Sequence, residues 1–275
     1  MKKISCLCTT YRRFACVERI ITQFFLQTYE NKELIIFNTD KENPYYFSDK
    51  QPESVIIINN DKDYLTGLPY QNRGQICRDA TTHCTGDYWM LWDDDDIYLP
   101  WNLEQAVNGI ESNGMDAWKP EMSFFALPEK ISLVKNTLEA SVIVKLNRIK
   151  EIGFREDLTG YEGLSWYTQL RNEGHINENN KNYLPAYCFN WGDPKHMAGH
   201  KQSGDLDNPE NFENHKKATQ DKVTRPIKIN TEVKEYKKYF DFLIENKEIF
   251  NQEYYNNYFL PLLKKSYINN NKPSN

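Results

Sequence analysis

Four consecutive carboxylates, Asp93 to Asp96, stand in the stretch WDDDDIYLP, behind the apolar run YWML and ahead of another apolar pair. Adjacent negative charges repel one another, and at the edge of a core they need compensation. A hard divalent cation, Mg²⁺ or Mn²⁺, supplies it, because such ions bind through one or two carboxylates and fill the rest of their shell with water and phosphate oxygens. That chemistry points to a diphosphate-bearing substrate. An acidic run also serves as a solvated turn ahead of a helix, where the N-terminal dipole favours negative charge, and Asp96 is placed to act mainly as such a cap. The position directly after a buried strand favours the cation.

The elements that must present these groups follow from periodicity. ISCLCT (Ile4 to Thr9) reads as a buried strand, and Val17, Ile20, Ile21, Phe24 and Phe25 repeat at helical spacing after it. ELIIF (Glu33 to Phe37) and SVIII (Ser54 to Ile58) read as buried strands, and Gln71 to Cys84 as a helix with Cys77, Ala80, Thr81 and Cys84 on one side. Gly86-Asp87 breaks that helix before the strand YWMLW. PWNLEQAVNGIESNG is a helix ending near Gly114. Strands alternating with helices predict an α/β fold with a mostly parallel sheet covered on both faces. In such a sheet ligands bind outside the carboxyl ends of the strands, where Asp93 to Asp96 fall.

Beyond residue 112 the pattern changes. SFFAL, ISLV and SVIVKL are strand-like, a helix runs from about Glu162 to Glu173 and stops at Gly174, and AYCFNW is strand-like again. These strands are expected to extend the sheet and wall a second substrate. From about Asp205 the chain is rich in Asn, Lys, Glu, Tyr and Phe, and Val233, Tyr236, Phe240, Leu243 and Ile244 predict a helical appendage. The expected organisation is one domain over 1–204, with a nucleotide-binding half (1–112) and an acceptor-binding half (113–204), then a helical appendage over 205–275 with a disordered tail.

Composition narrows the function classes. The 275 residues are 39% hydrophobic and 14% aromatic, enough for a sizeable core. A net charge of -5 without a long basic block gives no strong nucleic-acid signal. Six cysteines, without the paired spacing of a zinc site, read as buried, reduced thiols. No apolar run approaches the ~20 residues that cross a bilayer. The expectation is a soluble, cytoplasmic protein, with the C-terminal helices as the surface for homo-oligomer contact or peripheral attachment to a membrane.

Residues 4 to 112 resemble the family-2 glycosyltransferases of GT-A fold. ISCLCTTYRR is similar to their first strand and turn, QTYENKELIIF to their Q-T-Y-x-N-x-E-L-I-I second strand, and WDDDDIYLPWNLE to their aspartate motif. The resemblance implies a nucleotide-diphospho-sugar transferase fold with a mixed sheet, and a metal-dependent, inverting transfer of a monosaccharide from a nucleoside-diphosphate sugar to an acceptor hydroxyl. A glycan of a cell-surface polysaccharide is the family's common acceptor. By this resemblance Asp93 and Asp95 fill the D-x-D positions, Asp95 ligating Mn²⁺ or Mg²⁺ while Asp93 and Asp94 hold the ribose and metal waters. Thr9 and Tyr11 occupy base-contacting positions. Arg78 stands where the family's A-R-N arginine would meet the diphosphate or donor sugar, against the plainer reading of an exposed helix arginine.

The pattern also departs from the family. The usual Asp-Asp after the second strand is FNTD here, so Asn38 and Thr39 stand at those positions and Asp40 one later; Asn38 still carries a donor and an acceptor for a base edge. The family's E-D pair, which holds the catalytic base, is Glu162-Gly163 here. Glu162 as base is the preferred reading, Asp157 in FRED is the substitute, and binding of a sugar nucleotide without transfer is the third. NWGDPKHMAGHKQSG (Asn190 to Gly204) has the composition of a lid, from which His196, or less readily His200, would reach the metal.

Two other functions compete. A nucleotidyltransferase would begin with a Gly-rich basic loop, and TTYRRF has no glycine. A non-catalytic sugar-nucleotide or glycan-binding module is motivated by Gly163. Trp101, Trp118, Trp166 and Trp191 offer flat faces for sugar stacking or, equally well, core packing.

Overall fold

The structure, a computed structural model, describes residues 1–190 apart from 48, 49, 113, 128, 129, 157–161, 179, 181, 182 and 184. Strand β1 (Ile4–Thr10) leads through a tight turn into helix α1 (Phe14–Phe25), followed by β2 (Lys32–Asn38) and β3 (Val55–Asn59). Helix α2 (Arg73–Thr81), β4 (Tyr88–Leu91), β5 (Ile97–Tyr98) and α3 (Asn102–Glu111) come next. The remaining elements are β6 (Ala117–Trp118), β7 (Met122–Leu127), β8 (Lys130–Lys135), β9 (Ile143–Lys145), α4 (Leu146–Ile152), α5 (Glu162–Asn172), β10 (Ile176–Asn177) and β11 (Tyr187–Phe189). The expected appendage over 205–275 and the lid-like stretch after Asn190 lie outside the described residues.

Two compact units form. The first, Met1–Glu121 with Thr137–Ala186, carries a seven-stranded sheet of order β10-β6-β9-β4-β1-β2-β3. Strands β1, β2, β3 and β4 run parallel, β9 is antiparallel to both β4 and β6, and β10 is parallel to β6. The sheet is therefore mixed, as expected for this fold class. Its register aligns Thr10 with Asn38 and Asn38 with Asn59, so three strands end flush at one edge.

Alternating side chains of β1, β2 and β4 feed a core with α2 and α5: Leu7, Ile35, Phe37, Cys77, Trp89 and Trp166 are buried together. Trp89 meets Trp166 edge to face with ring centroids 5.4 Å apart, a geometry that adds to the roughly 1.5–3 kcal/mol each large apolar side chain contributes by burial. All six cysteines are buried, and none forms a disulfide. Helix α1 buries Val17, Ile20, Ile21 and Phe24 as its period predicts, but Phe25 is 50% exposed, because it falls at the helix end beyond the apolar stripe. Gly114 and Gly174, expected as helix stops, have φ of +69° and +72°, the left-handed region that glycine enters without a Cβ clash.

Helix α2 is shorter than Gln71 to Cys84. Asn72 caps it, its side chain accepting the Gln75 N–H at 3.0 Å, and at the other end the Thr82 hydroxyl turns back to the Asp79 carbonyl at 2.6 Å. Local side chains compete for the backbone at both ends and stop the helix there.

The second unit holds Met122–Asn136 and the described residues from Tyr187 onward. This corrects one expectation: of the strands beyond residue 112, SVIVKL does extend the main sheet as β9, but SFFAL, ISLV and AYCFNW do not. The first two become β7 and β8, paired antiparallel with each other, and AYCFNW carries β11, which lies parallel to β7. Two strands joined by two residues close their hairpin locally at small entropic cost, so they need no partner in the larger sheet. Phe125 packs on Phe189 there, with centroids 5.1 Å apart.

Candidate functional site

The ladder between β1 and β4 runs one residue past β4, with the Trp92 N–H donating to the Leu7 carbonyl at 2.7 Å. The chain then turns: the Asp96 N–H reaches the Asp93 carbonyl at 3.3 Å. Trp92 and Tyr98 stack at 4.3 Å and 8°, which brings the Tyr98 hydroxyl to the Asp93 N–H at 2.8 Å. Gln23 of α1 clamps the far side, accepting the Tyr98 N–H at 2.6 Å and donating to the Asp96 carbonyl at 3.2 Å. The four aspartates therefore sit on a braced turn at the carboxyl edge of the sheet.

Asp96 does not cap a helix. It is fully buried, β5 intervenes, and α3 has Trp101 at its N-cap position with no side-chain cap. The stacking of Tyr98 on Trp92 draws the chain back into the core before the helix begins, which separates the acidic turn from the helix dipole.

Arginines compensate the other three carboxylates. Arg13, immediately ahead of α1, donates from Nη1 to Asp94 Oδ1 and to Asp95 Oδ2, both at 2.8 Å. Thr10 donates to the other Asp94 oxygen at 2.6 Å, and Arg73, the first residue of α2, pairs with Asp93. Burial and the neighbouring Asp95 push the Asp94 carboxyl up, to about 6, against the pull of Arg13 and Thr10. Burial disfavours the charged Arg13, but Asp95 and Asp94 outweigh it and hold the guanidinium above its ordinary range. Arg12, in the turn between Tyr11 and Arg13, has φ of 57°, a left-handed conformation that is unusual for a non-glycine residue.

The other sequence-predicted residues are dispersed around this centre. Thr9 is half-buried at the end of β1, and Tyr11 is 39% exposed with the Arg12 guanidinium over its ring at 5.0 Å. The Asn38 amide is engaged within the protein: it donates to Asn59 at 2.9 Å and to the Asn43 carbonyl at 3.0 Å, and accepts the Asp40 N–H at 3.1 Å. Asp40 is buried and accepts from Asn43 and the Glu42 N–H. Burial would raise its pKa, yet those bonds and Arg12 hold it below the ordinary carboxylate range.

Arg78 is neither exposed nor turned to the aspartate turn. It pairs with Asp63, with Asp79 at 2.8 Å and with Glu156 at 2.5 Å. Asp63 in turn accepts the Leu65 and Thr66 N–H groups, so Arg78 ties the 63–70 loop to α2. Trp118 and Trp166 are core residues at 1% exposure, which removes them as sugar platforms, and Trp101 donates its indole N–H to the Pro185 carbonyl. Glu162 opens α5 with Gly163 behind it, as expected, but its side chain lies outside the described residues, as do Asp157, Trp191, His196 and His200.

Sequence reasoning missed Arg13, Arg73 and Thr10. TTYRR and QNRGQICRDA contained the signal: each places a basic residue at the start of a helix.

The carboxylates of Asp93 and Asp95 are hard oxygen donors and keep 22% and 8% of their side chains exposed, which suits a Mg²⁺ or Mn²⁺ ion held through one or two protein ligands. Among the described residues no three His, Cys, Asp or Glu side chains converge as a complete metal cage, so water or phosphate would have to supply the remaining ligands.

No family model matches the chain, and no curated protein matches it. Solved structures do. The chain is similar to S. aureus TarS 1-349 in complex with UDP-GlcNAc, at 15% identity and TM-score 0.55, over 71% of this chain and 60% of that one. It is similar to the mannosyltransferase PcManGT from Pyrobaculum calidifontis in complex with GDP-Man and Mn²⁺, at 10% identity and TM-score 0.51, over 72% and 59%. It is also similar to glucosyl-3-phosphoglycerate synthase from Mycobacterium tuberculosis in complex with phosphoglyceric acid, at 12% identity and TM-score 0.50, over 74% and 77%. The chain thus spans less than two thirds of the TarS structure. What these likenesses share is architecture, and the chain has the GT-A fold found in nucleotide-sugar glycosyltransferases.

Proposed function

We propose that the protein is a divalent-metal-dependent, inverting glycosyltransferase that moves a monosaccharide from a nucleoside-diphosphate sugar to an acceptor hydroxyl, on a glycan. The observation that carries the reading is the braced aspartate turn at the carboxyl edge of a GT-A sheet, faced by Arg13 and Arg73 at the starts of two helices. The neighbours' UDP-GlcNAc, GDP-Man and Mn²⁺ support the same ligand class.

Asp95 and Asp93 would hold the cation, which when bound neutralises charge on the leaving nucleoside diphosphate. Asp94, Thr10 and the Trp92–Tyr98 stack keep the turn rigid, so the carboxylates need not reorganise. Thr9 and Tyr11 border the nucleotide, and Asn38 and Asp40 shape the loop beside it. Glu162, with Asp157 as the alternative, takes the proton of the attacking hydroxyl, and His196 is proposed to reach the metal. A second reading, sugar-nucleotide binding without transfer, is favoured by Gly163 in place of the family's aspartate.

Calorimetric titration with UDP, GDP, CDP and dTDP, with Mn²⁺ and again with chelator, tests the proposal. Metal-dependent binding of one diphosphate is expected and names the donor's nucleotide. Failure of all four to bind would refute it. Binding without turnover on any glycan acceptor would favour the second reading.

A further inference from the structure

We infer that Arg13 and Arg73 are the diphosphate-binding groups of this site, freed from Asp95 and Asp93 to meet phosphate oxygens when a divalent cation takes those two carboxylates; the inference rests on the glycosyltransferase reading above. Arg13 contacts Asp94 and Asp95 through one nitrogen, Nη1, at 2.8 Å each. That is not the two-nitrogen fork a guanidinium forms with a single carboxylate or phosphate. Arg73 meets Asp93 where both side chains are partly exposed.

The two arginines also occupy equivalent places in the fold. Arg13 is the N-cap residue of α1 and Arg73 the first residue of α2, and neither helix has an acidic residue in its first turn. Both therefore stand at the positive end of a helix dipole. Arg78, the arginine that resemblance points to, is engaged by Asp63, Asp79 and Glu156. A cation on Asp93 and Asp95 would compete with Arg73 and Arg13 for those carboxylates, Arg13 keeping Asp94, and the negative charge withdrawn from the two guanidinium groups would be replaced by that of a diphosphate on the cation's open positions.

The exchange has a signature of opposite signs. Free Mn²⁺, followed by electron paramagnetic resonance without nucleotide, should bind Arg13→Gln about tenfold more tightly than wild type, because its competitor is gone. The diphosphate that wild type binds, titrated at saturating Mn²⁺, should bind the variant about tenfold more weakly, the scale of one hydrogen bond to a charged group. Arg73→Gln, altered at a partly exposed pair, should show the same two changes and keeps the test available if Arg13→Gln does not fold. Unchanged diphosphate affinity in the folded variants, or weaker Mn²⁺ binding, would overturn the inference while leaving the glycosyltransferase reading intact. Failure of wild type itself to bind UDP, GDP, CDP or dTDP would overturn both.

Discussion

Gly74 seats the helix that carries Arg73, and replacing it with alanine tests that seating. A Cβ on Gly74 would fall 1.9 Å from the Arg155 carbonyl oxygen and 2.8 Å from its carbon. Both atoms are backbone, so no rotamer change relieves the overlap, and α2 or the 155–156 segment must move. That movement also disturbs the Asn72 and Arg78 contacts with Glu156. Alanine gains about 0.5–1 kcal/mol over glycine through helix propensity. Overpacking costs about 1–3 kcal/mol, and a clash confined to backbone belongs at the upper end. The net expectation is a loss of about 2 kcal/mol, or a fall in Tm of roughly 4–8 °C at this size. Urea denaturation followed by tryptophan fluorescence, with thermal melts alongside, reads it directly. A Tm equal to or above wild type would show that α2 does not lie against residue 155 and would refute that packing.

Three further outcomes are expected. Asp95→Ala should lower transfer by orders of magnitude in a folded protein, because charge on the leaving diphosphate goes uncompensated; an unchanged turnover number removes Asp95 as a ligand. Glu162→Gln should lower turnover by about 10²–10⁴-fold with little effect on donor affinity, and near-wild-type turnover would move the base to Asp157. Glu33 is buried and accepts from Ser5 at 2.5 Å, the Thr85 N–H at 2.7 Å and Lys3 at 2.6 Å. Burial alone would raise its pKa, but Lys3, Ser5 and Thr85 hold it below the ordinary range. Its contribution is therefore complete above the ordinary carboxylate range and lost as pH falls through the folded value. Glu33→Gln should cost roughly 1.5–3 kcal/mol at neutral pH, and a deficit that persists undiminished in acid would contradict the assignment.

The sequence by itself determined the parallel half of the sheet, because each strand there is a continuous apolar run bounded by polar segments or helices. Ile4 to Thr9, Glu33 to Phe37 and Tyr88 to Trp92 needed no partner to be recognised, and the aspartate turn at the end of the last one followed from strand direction alone. Local chemistry also placed the stops at Gly114 and Gly174, where only a left-handed residue suits the chain. Tertiary structure decided what periodicity cannot express. Whether SFFAL pairs with the main sheet or with its sequence neighbour depends on competing long-range and local closures, and the local one won as β7 and β8. The partners of the charges were likewise hidden: Arg13 lies 81 and 82 residues from its carboxylates, and Arg73 lies 20 from Asp93. Arg78, nearest to the family pattern, went instead to Asp63, Asp79 and Glu156. Charge is legible residue by residue, but which opposite charge it meets is set by where the sheet edge brings separate strands and helix starts together.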